Sequence, residues 1–159
     1  RGKIDGKLEA AIHADRLGLF GGRLGIDAKA QLERLPPGSQ PSVKVHHFDA
    51  GLQLANLRLS RALALRGKRL PEGFDAVLDL DVKASGTPDA PRAKLDLVAT
   101  TTRTPKAPEA RLALSADVVP TAADFTLSLR DARDDVGAAL LTARGSLPLS
   151  LQGPVTGLN

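Results

Sequence analysis

Residues 74–91 read Phe74-Asp75-Ala76-Val77-Leu78-Asp79-Leu80-Asp81-Val82-Lys83-Ala84-Ser85-Gly86-Thr87-Pro88-Asp89-Ala90-Pro91. Every even position from Phe74 to Ala84 is apolar, while the odd positions carry Asp75, Asp79, Asp81, Lys83 and Ser85, with Val77 as the exception. Successive side chains of a strand leave opposite faces of a sheet, so this period of two predicts a half-buried β-strand. Helical spacing would mix the two classes on every face. Gly86 to Pro91 supplies turn residues, and Ala93, Leu95, Leu97 and Ala99 resume the alternation beyond them. The stretch therefore predicts a long hairpin.

The same pattern extends in both directions. Towards the N-terminus, Ile4, Leu8, Ala10, Ile12 and Ala14 oppose Asp5, Lys7, Glu9 and His13, and Leu24, Ile26, Ala28, Ala30 and Leu32 oppose Arg23, Asp27, Lys29, Gln31 and Glu33. Leu17 to Gly22 is the expected connection between them. Towards the C-terminus come three further runs: Ala110, Leu112, Leu114 and Ala116; Phe125, Leu127 and Leu129; and Leu141, Ala143, Leu147, Leu149 and Leu151. Residues 36–41, 67–73, 86–91, 103–108 and 119–120 are the Pro- and Gly-rich breaks between strands. Thr-Pro-x-Ala-Pro occurs at 87–91 and again at 104–108, one strand apart, so similar turns are expected to cap successive strands. Strands of ten to twelve residues would be roughly 35–40 Å long. Leu52 to Leu65 departs from the pattern: its Leu, Ala and Arg content favours a helix, and one short helix is expected within residues 55–65. The fold class is all-β, with long and mostly antiparallel strands.

The 159 residues, 16.6 kDa, fit a single domain. Aromatic residues are 3%, all of them Phe, which removes the stacking platforms of single-strand and RNA-binding folds and argues against nucleic acid as a partner. The net charge of +4 comes from interspersed residues of both signs. The absence of Cys removes disulfides, thiolate metal clusters and thiol nucleophiles. A chain without Met that begins at Arg1 is expected to be a segment of a longer protein, so missing targeting signals carry no weight. No run reaches the ~18–20 apolar residues that span a bilayer as a helix.

The apolar parity is built from Leu, Ala, Val and Ile, with Ala alternating so often that its side chains fill little volume. Two arrangements share this pattern. One is a closed sandwich packed by Leu; the other is a folded-over sheet whose inner walls do not meet and leave an apolar trough.

The stretch Leu59 to Thr101, in which Leu70-Pro71-Glu72-Gly73-Phe74 leads into a long alternating strand, then Gly86-Thr87-Pro88-Asp89-Ala90-Pro91, then a second such strand, resembles the repeating unit of the TamB family. That family is the inner-membrane subunit of the translocation and assembly module, within the AsmA-like group of bridge-type lipid transporters. Ser146-Leu147-Pro148-Leu149-Ser150-Leu151 resembles a closing segment of the same family. The resemblance implies a taco-like open sandwich with an apolar groove, residues 1–159 being one β-groove segment of a longer periplasmic protein anchored in the inner membrane. It also implies phospholipid transport between inner and outer membranes in support of outer-membrane biogenesis, with the outer-membrane barrel TamA as partner of the full-length protein. Neither the family's N-terminal anchor nor its TamA-docking part can be assigned to residues of this sequence. On this reading the groove is lined by Phe74, Ala76, Leu78, Leu80, Val82, Leu95, Leu97, Leu112, Leu114, Leu127 and Leu129. Its ligand is the phospholipid acyl chain, for which exposure to water costs about 0.8 kcal/mol per CH₂. A second role attached to the family is outer-membrane protein assembly, in which the groove or a sheet edge holds a client strand. A purely structural sandwich is the third alternative.

No motif points to catalysis, and a non-enzymatic protein without cofactor or metal is expected. His46-His47-Phe48-Asp49 is a poor metal site, since adjacent strand residues are expected to face opposite ways and Cys is absent. His13 is expected on the polar face. Asp79 and Asp81, at i and i+2, are expected to solubilise the outer surface, and Asp131, Asp134 and Asp135 to belong to a hairpin turn. Arg58, Arg61, Arg66, Lys68 and Arg69 are the densest basic run, expected to be a solvated surface rather than a headgroup site. Unpaired terminal strands are expected to give some edge-to-edge self-association.

Overall fold

The computed structural model describes residues 7–19, 21–34, 43–71, 74–102, 109–132 and 139–149. Eight strands follow one another: β1 (Lys7–Leu19), β2 (Gly22–Arg34), β3 (Val43–Arg58), β4 (Ala76–Thr87), β5 (Ala90–Thr101), β6 (Ala110–Val119), β7 (Ala122–Asp131) and β8 (Leu141–Pro148). A single helix, α1 (Leu59–Ala64), separates β3 from β4. The strands form one sheet in the order β1-β2-β3-β4-β5-β6-β7-β8, and every pair is antiparallel. The sheet is open, with β1 and β8 at its edges.

The β4–β5 hairpin forms as its sequence predicts. Thr87 pairs with Ala90, leaving Pro88 and Asp89 as a two-residue loop, and the Thr87 hydroxyl oxygen accepts the Ala90 N–H at 3.2 Å. Gly86, at a φ of 123°, supplies the backbone conformation that a side chain would oppose. The β6–β7 loop is equally short, with Val119 opposite Ala122 around Pro120 and Thr121. Ile4, Leu151, Asp134, Asp135 and the second Thr-Pro-x-Ala-Pro turn lie outside the described residues. Asp131 closes β7.

The short helix expected within residues 55–65 forms as α1, and the strand before it runs further than its composition suggests. Leu52 to Arg58 belong to β3, and only Leu59–Ala64 is helical. The strand's parity is carried by Phe48, Ala50, Leu52 and Leu54, then broken by one extra residue between Leu54 and Leu57. Asn56 sits in this bulge with φ 59°, a left-handed conformation that Asn tolerates, and its N–H donates to Asp79 Oδ1 at 2.8 Å. Past the bulge the Leu residues change parity, and that change is what imitates a helical stripe. The helix is capped across its loop, because the carboxylate of Asp75 accepts the Ser60 N–H at 3.1 Å and the Ser60 hydroxyl at 2.8 Å.

Among the described residues, substantial contacts between elements run only between strands adjacent in sequence, and from α1 to β3 and β4. Among the described residues Ala76 is the one buried hydrophobic side chain, at 4% exposure. The tightly packed two-sheet sandwich that the alternation equally allowed is therefore not formed by these residues.

Candidate functional site

Pairing register decides which side chains share a face, since directly opposed residues in an antiparallel pair point the same way. Starting at Leu80, one row runs through Leu97, Leu114, Leu127 and Ala143 on one side. On the other side it continues through Leu54 and Leu24. The neighbouring row passes from Ala14 through Ile26, Leu52, Val82 and Leu95 to Ala116, Phe125 and Gly145. A third contains Leu57, Leu78, Ala99, Leu112, Leu129 and Leu141. Eight strands at ~4.8 Å spacing make an apolar surface about 34 Å across the strands. That is roughly twice the depth of one leaflet of a ~30 Å hydrocarbon core.

Of the groove residues expected from the sequence, Ala76, Leu78, Leu80, Val82, Leu95, Leu97, Leu112, Leu114, Leu127 and Leu129 all fall on this face. Phe74 does not belong to the ladder. It precedes β4, its N–H donates to the Pro71 carbonyl at 3.1 Å, and its side chain is exposed. Leu52, Leu54 and Phe125 lie on the face as well. The first two went unrecognised because the helical reading of 52–65 hid the Phe48-Ala50-Leu52-Leu54 parity. Phe125 is the bulkiest feature of its row: its ring lies over Gly145, within 2.5 Å of where a Cβ there would stand. Two aromatic residues, Phe48 and Phe125, stand opposite glycines, Gly86 and Gly145, so their bulk is spread over positions that have none.

The other face is polar, and its groups are engaged with one another. Asp79 anchors the β3 bulge, and Asp81 accepts a hydrogen bond from Gln53 Nε2 at 3.2 Å with Lys83 Nζ at 3.5 Å. His13 meets Asp27 at 2.5 Å, directly across β1 and β2. The expectation that His46 and His47 diverge is corrected by a second bulge, between Gln31 and Leu32 of β2 and the facing stretch of β3. It turns both rings to polar-face carboxylates, His46 to Glu33 at 2.6 Å and His47 to Asp49 at 3.3 Å. No group of three or more metal-ligating side chains occurs among the described residues. Gly25 and Gly51 leave a shallow polar concavity of about 550 Å³ flanked by Asp27, Lys29, Gln53 and Lys83.

Asp75 is the titratable group with a distinct environment. Partial burial raises its pKa, but hydrogen bonds from the Ser60 N–H, the Ser60 hydroxyl and the Ala76 N–H, with the charge of Arg58, outweigh this and hold it below the ordinary aspartate value. It is a structural carboxylate at the α1 end of the sheet. Arg58, Arg61, Arg66, Lys68 and Arg69 are exposed around the same end, with the Arg61 guanidinium against Gly21 in the β1–β2 turn. No family model, no curated protein and no solved structure matches the chain.

Proposed function

We propose that this chain is a non-enzymatic groove segment that shields phospholipid acyl chains from water as they pass between the inner and outer membranes. The supporting observation is the apolar face that crosses all eight strands without a second layer packed on it among the described residues. Exposed apolar surface of this extent on a folded protein calls for an apolar occupant. Its walls are Leu, Ala, Val and Ile with few polar interruptions, so neighbouring positions are nearly equal in energy for a hydrocarbon tail. A tail can then slide across successive strands while its headgroup stays in water at the rim. On the resemblance to the TamB family, such a segment would belong to a periplasmic, inner-membrane-anchored protein that works with TamA.

Photo-crosslinking amino acids at Leu78 or Leu80 should capture lipid, identified by mass spectrometry, while one at Asp79 on the opposite face should not. Equal capture from both faces, or from neither, removes the proposal. The two open edges favour a second reading, in which β1 or β8 holds an extended client strand for outer-membrane protein assembly. That role predicts polypeptide capture from edge positions and no lipid from Leu80.

A further inference from the structure

The connection from β3 to β4 builds an ordered basic rim on one end of the sheet. Five cations, Arg58, Arg61, Arg66, Lys68 and Arg69, fall within residues 58–71 without one Asp or Glu among them. α1 fixes the first part of this stretch, since Leu59, Ala62 and Leu63 are half-buried and the helix contacts β3 and β4. A Schellman turn fixes the next part: the Lys68 N–H donates to the Leu63 carbonyl and the Gly67 N–H to the Ala64 carbonyl, both at 3.0 Å, with Gly67 at φ 66°. All five cations are exposed, as is Arg23 at the start of β2 on the same end.

The carboxylates closest to this stretch are already engaged. Asp75 accepts hydrogen bonds from Ser60 and Ala76, and Asp79 accepts the Asn56 N–H. Glu109 and Asp131 lie on the same end, but beside β6 and at the close of β7, on the far side of β5 from α1. The opposite strand ends carry both signs: Lys44 and Arg92 stand with Glu33, Asp89 and the facing pair Asp117 and Asp124. The two rims of the sheet therefore differ in charge.

The basic rim adjoins the apolar face. The row of Leu57, Leu78, Ala99, Leu112, Leu129 and Leu141 runs along it, and Leu57 is followed directly by Arg58 and α1. In sequence the basic run reads as a solvated surface; the fold puts it where the headgroup of a lipid lying along the strands would emerge. Leu65, at 66% exposure, adds an apolar side chain to the same stretch. Arg guanidinium groups match phosphate oxygens in a bidentate fork. A headgroup that also carries an ammonium group would bring that charge against the cations, with the carboxylates around α1 already taken. An anionic headgroup meets no such repulsion.

We infer that the α1 rim selects phospholipids with a net negative headgroup over zwitterionic ones, the phosphate lying against Arg66, Lys68 and Arg69 while the tail lies on the apolar face. This inference rests on the groove reading and adds the headgroup class to it.

Phosphatidylglycerol and phosphatidylcholine with identical acyl chains, offered as an equimolar mixture in detergent micelles, provide the test, with the lipid retained by the purified chain quantified by mass spectrometry. The unmodified chain should retain phosphatidylglycerol about tenfold over phosphatidylcholine at low salt, with the ratio falling towards parity at about 0.5 M salt. Arg66→Gln, Lys68→Gln and Arg69→Gln together should bring the ratio to parity at low salt, while phosphatidylcholine retention stays within about twofold because burial of the tail is untouched. The same loss of charge elsewhere, Lys44→Gln, Arg92→Gln and Lys94→Gln together, should keep the preference. Both triple variants should keep the far-ultraviolet circular dichroism spectrum of the unmodified chain. Excess glycerol phosphate, which has no tail, should displace neither lipid. Parity in the unmodified chain, equal loss of preference from both triple variants, or displacement by glycerol phosphate would each overturn the headgroup assignment and leave the groove standing. Retention of neither lipid removes the groove itself, and this inference with it.

Discussion

Replacing Leu80 by Arg tests the face assignment most directly. Leu80 stands near the middle of the row that runs from Leu24 to Ala143, flanked by Leu54 and Leu97. The Arg stem can lie along the apolar surface, so the sheet survives, but its guanidinium must stay hydrated and keeps a tail off the surrounding surface. One strand spacing of ~4.8 Å corresponds to roughly four methylenes, and at about 0.8 kcal/mol each the bound tail loses around 3 kcal/mol, or about a hundredfold in affinity. The companion variant is Asp81→Arg, one residue away on the polar face, where the new cation meets Asp96 directly across β4 and β5. Titration with a fluorescent fatty acid, checked by lipid retention in mass spectrometry, should show the hundredfold loss for Leu80→Arg and less than about threefold for Asp81→Arg. Circular dichroism confirms that both variants are folded. Similar affinities for the two would refute the assignment of the acyl chain to this face.

Three further outcomes concern stability. Gly22→Ala places a Cβ 2.6 Å from the Ala55 carbonyl oxygen and 2.9 Å from the Leu57 nitrogen, so backbone at the β3 bulge must move. The expected cost is about 1–3 kcal/mol, or roughly 3–10 °C in melting temperature for a chain of this size, whereas Gly145→Ala displaces only the end of the Phe125 ring and should be close to neutral. Asp124 faces Asp117 across β6 and β7, and Asp124→Lys should raise stability by about 0.2–1 kcal/mol at low salt, a gain that fades at high ionic strength in denaturant titrations. Because the folded-state pKa of Asp75 is depressed, its contribution is present above the ordinary aspartate pKa and is lost as pH falls through the lower folded value. Asp75→Ala should therefore cost about 1–2 kcal/mol near neutral pH and flatten the acid limb of the stability profile measured by thermal melts.

The strands with uninterrupted parity were legible from sequence because a half-buried ribbon advertises itself every second residue. Phe74 to Ala84 and Ala93 to Ala99 needed nothing else. β3 was obscured by two changes of parity, at the His46 region and at Asn56, each produced by a bulge against a neighbouring strand, the second of them held by Asp79 of β4. No single stretch of sequence carries that information. The apolar face was legible in the same way as the strands, down to the facing of Leu80, Leu97 and Leu114. Whether a second layer covers it was not, because closed and open arrangements need the same alternation. Phe74 shows the limit of parity at a strand end: it keeps the pattern by count but falls before the first paired residue, Ala76.

The restriction of contacts to neighbouring strands has a consequence for how the molecule comes apart. Among the described residues each inner ribbon is held by the two beside it, each edge ribbon by one, and none by contacts across a shared interior, so stability accumulates pair by pair, as in a linear repeat array. Unzipping from either margin removes one interface at a time, and the central β3–β5 ribbons should retain amide protection from solvent exchange after β1 and β8 have frayed. Refolding needs only successive local hairpins, with little loop entropy to overcome, which favours rapid formation for so strand-rich a chain.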